Sequence, residues 1–261
     1  PLILFRSLLQ DTTLLLNHLM NKEFLLVIPA RFKSSRFPGK PLVDIKGKSM
    51  IFRVWEKCVS ACSEDNVIIA TDDSQIEDHC LNLGMNVIMT SGTCKTGTDR
   101  ISEVSTSLDA GFYVNVQGDE PLVDPSDITR VIDEYRLNPY MTHCAMTEIR
   151  SEEEYTNPNV PKVVVNESNK LLYISRAGIP ANKQNSFCKS MKQVCIYAFP
   201  KKHLQEYGTN KSKTSLEEIE DIELLRLVER GFEVQMVEVT GSSIAVDTPE
   251  DLIKVMEELG D

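Results

Sequence analysis

Apolar and polar positions along the chain follow two periods. Phe24–Ile28 is an unbroken apolar run ended by Pro29, the pattern of a strand buried on both faces. Over residues 49–62 the apolar side chains recur at Met50, Ile51, Val54, Trp55, Cys58 and Val59, which is helical spacing. A strand at 66–71, a helix at 74–83 stopped by Gly84, a strand at 86–89, a helix at 99–108, a strand at 112–117 and a helix at 126–135 follow in turn. Strands alternating with helices predict a three-layer α/β domain around a mainly parallel, Rossmann-like sheet.

The pattern changes at Thr142. Strand-like runs at 142–149, 162–165, 171–175 and 193–199 are joined by turns with no long helix between them. They predict an inserted antiparallel element over 142–199, with residues 181–189 as its mobile tip. A helix at 216–230, a strand at 232–239 and a helix at 249–259 close the chain. Residues 1–22 carry leucines and isoleucine, but Asp11 interrupts them and no small-residue cleavage site follows. They are expected to be an N-terminal extension and not a secretion signal, leaving one domain over 23–261.

Composition narrows the class of partner. Hydrophobic residues make up 41% and charged residues 26% of the 261 residues, ordinary for a globular chain. The net charge of -11 argues against a nucleic-acid partner, which favours a basic face. No apolar run reaches the length of a membrane span. The seven cysteines are odd in number and include no Cys-x-x-Cys pair, as expected of reduced thiols in a cytoplasmic protein.

In an open parallel sheet, ligands bind beyond the carboxyl ends of the strands, where strand order reverses. Three strand ends carry unusual polar chemistry. After the first strand, Arg31, Lys33, Arg36 and Lys40 lie among Ser34, Ser35, Pro38 and Gly39. Such a cluster in an acidic protein suits a triphosphate, through forked arginine donors and lysine point charges. It also reads as a solvated basic loop, and it is not a P-loop, because Pro41 follows Lys40. After the second strand comes Asp72-Asp73. At the strand end near 117, Gln117-Gly118-Asp119-Glu120 offers hard oxygen ligands of the kind Mg²⁺ takes; a turn-capping Asp is the other reading. Asp247-Thr248-Pro249-Glu250 is a second acidic candidate and equally a helix start. Thr96-Gly97-Thr98-Asp99-Arg100 holds an anion or caps a helix.

In order along the chain, the segments IPARFKSSRFPGKPL (28–42), ATDD (70–73), TGTDR (96–100), NVQGDEPL (115–122), NPNVPKVV (157–164), YISRAGIP (173–180) and VDTPEDL (246–252) resemble the 3-deoxy-manno-octulosonate cytidylyltransferase family, over about nine-tenths of the chain. The resemblance implies a nucleotide-diphospho-sugar-transferase-like fold whose antiparallel element makes a homodimer contact. It implies transfer of CMP from CTP to the acidic sugar 3-deoxy-D-manno-octulosonate (Kdo), with release of pyrophosphate, for lipopolysaccharide sugar activation. It implies Mg²⁺ on Asp119 and Asp247, and catalytic roles for these two and Lys40. It further implies CTP contacts from Ala30, Arg31, Ser34, Arg36, Lys40, Asp72, Thr96 and Gly97. The sugar contacts it implies are Arg100, Gln117, Arg176, Gln193, Tyr197, Glu217 and Glu220.

Two positions depart from the family's pattern. Gln193 stands where the family usually has His, and Leu224 where it commonly has Gln. Both fall on the expected sugar side, so a Kdo variant or another ulosonic acid is an alternative substrate. A nucleotide-binding protein without catalysis is the alternative of another class.

Overall fold

The strands assemble around β1 (Lys22–Ala30). In the computed structural model, which describes Leu19 and residues 21–33, 37–184, 186–209, 212–241 and 243–260, β1 leads through a 3-10 turn at Lys40–Leu42 to a small hairpin, β2 (Asp44–Ile45) and β3 (Lys48–Ser49). Helix α1 (Met50–Ala61) starts at Ser49, whose hydroxyl accepts from the Phe52 amide. Strand β4 (Val67–Thr71), helix α2 (Ser74–Asn82), strand β5 (Val87–Met89), helix α3 (Gly97–Ser107) and strand β6 (Ala110–Val116) follow. Helix α4 (Pro125–Leu137) is capped by Asp124 with proline in its first turn. Next come β7 (Thr142–Glu148), the short α5 (Glu152–Thr156), β8 (Lys162–Val165), β9 (Leu171–Ser175) and β10 (Met191–Pro200). The chain closes with α6 (Lys201–Thr209), α7 (Ser215–Glu220), α8 (Leu224–Glu229), β11 (Val234–Glu238) and α9 (Pro249–Glu258).

The sheet runs β11-β7-β10-β6-β1-β4-β5. β1 pairs in parallel with both β4 and β6, β4 with β5, and β11 with β7; β10 is antiparallel to β6 and β7. The chain winds outward from β1 to β5 and then returns to β6 on the other flank of β1. This reversal leaves a crevice outside the carboxyl ends of β1 and β6.

Alternate residues of β1 feed two core layers, as the period-2 geometry of a strand requires. Phe24, Leu26 and Ile28 pack with Ile51, Val54 and Cys58 of α1 and Ile128, Val131 and Ile132 of α4. Leu25 and Val27 pack on the opposite face with Ile101 and Val104 of α3, Leu204 and Tyr207 of α6, and Leu224 and Leu227 of α8. A third cluster, Ile45, Met50, Val246 and Val255, holds α9 against the β2–β3 hairpin.

The segment 142–199 divides between two places. β7 and β10 complete the central sheet, and β8–β9 extends from it as an antiparallel pair hydrogen-bonded to β10. Residues 201–209 form α6, which the pattern did not reveal: Leu204 and Tyr207 are its only strongly apolar positions. The helix expected over 216–230 is two helices, broken at Asp221, whose φ of 50° is left-handed. Of the expected N-terminal extension, 1–18 and Met20 lie outside the described residues; Leu19 is fully buried in the second core layer. All seven cysteines are free thiols. Among the described residues no helix is long and apolar enough to cross a membrane.

Candidate active site

The crevice at the strand reversal is a cavity of about 340 Å³. Gly118 makes it possible: a Cβ there would sit 2.8 Å from the Pro29 carbonyl, so only glycine lets the ends of β1 and β6 approach this closely. Arg31 follows directly on β1 and borders the cavity. Gly39, at φ 72°, turns the chain into the 3-10 segment that carries Lys40 inward.

At the cavity floor the Lys40 ammonium donates to Asp119 Oδ2 at 2.7 Å and to Asp247 Oδ1 at 3.3 Å. The backbone supports this convergence, since the Val246 amide donates to the Asp119 carbonyl at 2.9 Å. Both alternative capping roles go to neighbours. Asp124 caps α4. Thr248 and Asp251 form the capping box of α9, and both the Asp247 and the Thr248 amides donate to Asp251. The side chains of Asp119 and Asp247 therefore remain directed at Lys40. Beside them, buried Glu120 accepts from the Ser243 hydroxyl at 2.5 Å. Burial, reinforced by the negative charge of Asp119, pushes its carboxyl up to about 7.

The opposite wall is built by the start of α3. Thr96 and Gly97 line the cavity, and Thr96 is held from behind by Asp99 in a reciprocal capping box. Glu223 accepts from the Gly97 amide at 3.2 Å and the Thr98 amide at 2.8 Å. Burial raises its carboxyl above the ordinary value against the lowering effect of these donors. Arg100 reaches the cavity from α3, pairing behind it with Asp72 at 3.4 Å and donating to the Thr90 hydroxyl. Arg176, Gln193, Cys195, Tyr197, Asn159 and Asp221 complete the remaining side. Gln193 Nε2 donates to the Tyr197 hydroxyl at 3.1 Å. The Arg176 guanidinium donates to the carbonyls of Pro158, Glu220 and Asp221.

Of the residues expected at the site, Ala30, Arg31, Lys40, Thr96, Gly97, Arg100, Gln117, Asp119, Arg176, Gln193, Tyr197 and Asp247 border this cavity. Ser34 and Arg36 lie outside the described residues. Three of the expected residues do not border this cavity. Asp72 does not border the cavity but stands behind Arg100. Glu217 is buried, its carboxylate spent on Arg226 at 2.6 and 2.7 Å. Glu220 is committed to Ser175 at 2.6 Å and the Arg176 amide at 2.9 Å. Glu217 and Glu220 were expected from the family resemblance; beyond the break at Asp221 it is Glu223 that borders the cavity. Leu224, at 1% exposure, belongs to the core.

Residues 25–238 match the cytidylyltransferase family. The 3-deoxy-manno-octulosonate cytidylyltransferase of Syntrophotalea carbinolica is 40% identical over 239 residues, covering 88% of this chain and 95% of its own. Its Escherichia coli counterpart is 38% identical over 230 residues, covering 88% and 93%. The chain belongs to the 3-deoxy-manno-octulosonate cytidylyltransferase family.

A solved CMP:2-keto-3-deoxy-manno-octonic acid synthetase complexed with CTP superposes with a TM-score of 0.84 at 37% identity, covering 91% of this chain and 98% of that one. The 4-diphosphocytidyl-2C-methyl-D-erythritol synthase of Anaerococcus prevotii, at 15% identity, TM-score 0.61 and coverage of 92% and 99%, shares the fold alone. Within this cytidylyltransferase the sequence reading missed Glu223, Asp221, Asn159 and Cys195, and gave Glu120 no separate role. Glu223 falls within the helix expected over 216–230, and nothing in the local pattern separates it from the other glutamates there.

Among the described residues no three acidic, histidine or cysteine side chains gather closely enough to hold a metal by themselves. Two carboxylates do converge on one cationic group, the Lys40 ammonium. That donor set fits an ion that takes one or two carboxylates and completes its shell from phosphate and water, as Mg²⁺ does.

Proposed function

We propose that this chain transfers the cytidylyl group of CTP to the anomeric hydroxyl of Kdo, releasing pyrophosphate. The observation that carries the reading is the meeting of Asp119 and Asp247, remote in sequence, on the Lys40 ammonium beside Arg31 at the strand reversal. The names of the relatives support the choice of nucleotide and sugar.

Mg²⁺ is the proposed cofactor, with Asp119 and Asp247 as its protein ligands. Bound there, it would neutralise α-phosphate oxygens and acidify the attacking hydroxyl. The remaining work falls to the chain. The sugar hydroxyl oxygen bonds to the α-phosphorus as the bond to the β-phosphate oxygen breaks in line. Arg31 and Lys40 meet the charge growing on the departing pyrophosphate. Thr96, Gly97 and Gln117 line the path between nucleotide and sugar. Arg176 offers a cation to the sugar carboxylate, with Gln193, Tyr197 and Glu223 as hydroxyl partners. Reduced thiols suit a cytoplasmic setting, and the reading includes a homodimer joined through the β8–β9 side that supplies activated sugar for lipopolysaccharide.

Pyrophosphate release with CTP, Mg²⁺ and each acid sugar in turn tests this. Release with Kdo well above that with an amino-substituted Kdo or a nine-carbon sialic-type acid is expected. Preference for either rival reassigns the sugar, which Gln193 and Leu224 would then explain. CTP binding without release from any sugar acid would make the chain a binder and not an enzyme.

A further inference from the structure

We infer that, in the nucleotide-free enzyme, the Lys40 ammonium occupies the place of the divalent ion between Asp119 and Asp247, so that metal and lysine exclude one another. This rests on the proposed metal site and adds to it an order of events. The ion enters when nucleotide phosphates draw Lys40 away.

The geometry is direct. One ammonium holds one oxygen from each carboxylate, at 2.7 and 3.3 Å, and the Lys40 side chain is only 12% exposed. Mg²⁺ takes its oxygens at about 2.1 Å, so the two carboxylates would close by roughly 1 Å onto the point that the ammonium now fills. An ammonium and a metal ion cannot both stand at that point. The two acids face each other across the floor with buried Glu120 beside them, and removing the ammonium leaves a site whose negative charge invites a divalent ion.

Lys40 also has somewhere to go. Its backbone is fixed by the Gly39 turn and buried Pro41, while its flexible four-carbon stem places a point charge wherever phosphate oxygens stand. Arg31 borders the same cavity from the end of β1. A triphosphate bridging Arg31 and Lys40 would release Asp119 and Asp247 and supply the oxygens that two protein ligands lack. Nucleotide and metal therefore bind with positive coupling, each raising the affinity for the other by the same factor.

Mn²⁺, followed by the electron paramagnetic resonance of the free ion, is the probe. The nucleotide-free wild-type protein is expected to bind Mn²⁺ weakly, and Lys40→Met at least about 10-fold more tightly. Lys40→Arg, which keeps a cation, should stay near wild type, and Lys40→Met with Asp119→Asn should lose the gain. Lys40→Gln serves in place of the Met variant if circular dichroism shows the latter misfolded. Equal Mn²⁺ affinity in wild type and Lys40→Met overturns the inference, and so does wild-type binding as tight without CTP as with it. The metal site survives either result provided that Asp119→Asn abolishes CTP-dependent Mn²⁺ binding. CTP-dependent binding indifferent to Asp119→Asn removes the metal site itself, and the inference with it.

Discussion

Replacing Arg226 with Met removes a buried cation shared by two carboxylates, Asp99 and Glu217, behind the cleft wall. Arg226 is fully buried; it donates to Glu217 at 2.6 and 2.7 Å and to Asp99 at 2.6 Å, and its guanidinium lies 3.8 Å from the centre of the Tyr207 ring. Glu217 is 1% exposed, so water cannot take over. Stranding one partner of a buried ion pair costs about 3–5 kcal/mol, most of it from the charge left behind. Methionine fills the space of the arginine stem, so the loss is electrostatic and not that of a cavity. The expected destabilisation is about 4 kcal/mol, or a fall in Tm of roughly 8–16 °C for a chain of this size. Urea denaturation and calorimetry measure it. In a double-mutant cycle, Arg226→Met with Glu217→Leu should cost about 2 kcal/mol less than the sum of the single changes. Glu217→Gln should lower Tm while leaving the sugar KM of the folded enzyme unchanged, the reverse of what a sugar ligand would do. A loss under about 1 kcal/mol for Arg226→Met, or strict additivity in the cycle, would refute the reasoning.

Other outcomes follow from the same geometry. Asp119→Asn and Asp247→Asn should each lower kcat by at least about 10²-fold while changing CTP affinity, read by calorimetry, less than tenfold; undiminished turnover in Mg²⁺ would discharge the acids from catalysis. In Arg176→Lys a compact ammonium loses the planar fork whose separate nitrogens reach three carbonyls, so the sugar KM should rise with the CTP KM little altered. Equal increases in both would assign Arg176 to general stability. Burial pushes the rings of His143 and His203 below 6.5. For a base whose folded pKa is depressed, stability is whole above the unfolded value and lost as pH falls through the folded one. Tm should therefore decline below pH 6.5, and His203→Gln should flatten that decline; a wild-type Tm that holds steady there would contradict it.

The alternation of strand and helix was legible because β1 is buried on both faces and the helices beside it carry regular apolar stripes. The paired acids and the cationic turn were legible as residue types at strand ends, although each had a bland reading. Only the fold decided between them, by giving the caps to Asp124 and Thr248 and leaving Asp119 and Asp247 for Lys40. Two kinds of feature escaped. Helix α6 offers only Leu204 and Tyr207 as an apolar stripe, and its packing against α3 is a tertiary effect that local pattern does not carry. The interruption at Asp221 has no Gly or Pro to announce it, so the inward turn of Glu223 was not legible in the local pattern. Asp72 stands at a strand end as expected, and there its carboxylate pairs with Arg100.

That interruption bears on how the segment tolerates change. On an unbroken helix, side chains two positions apart point about 200° from each other, so Asp221 and Glu223 would face opposite ways. The left-handed residue at 221 folds both toward the same cavity. Drift at this position is thus filtered by backbone handedness before charge. Asn or Gly can occupy such a turn, whereas Val or Ile, which resist positive φ, would swing Glu223 off the amides of Gly97 and Thr98 and unmake a wall of the cleft from a residue whose own carboxylate is mainly held by Lys213.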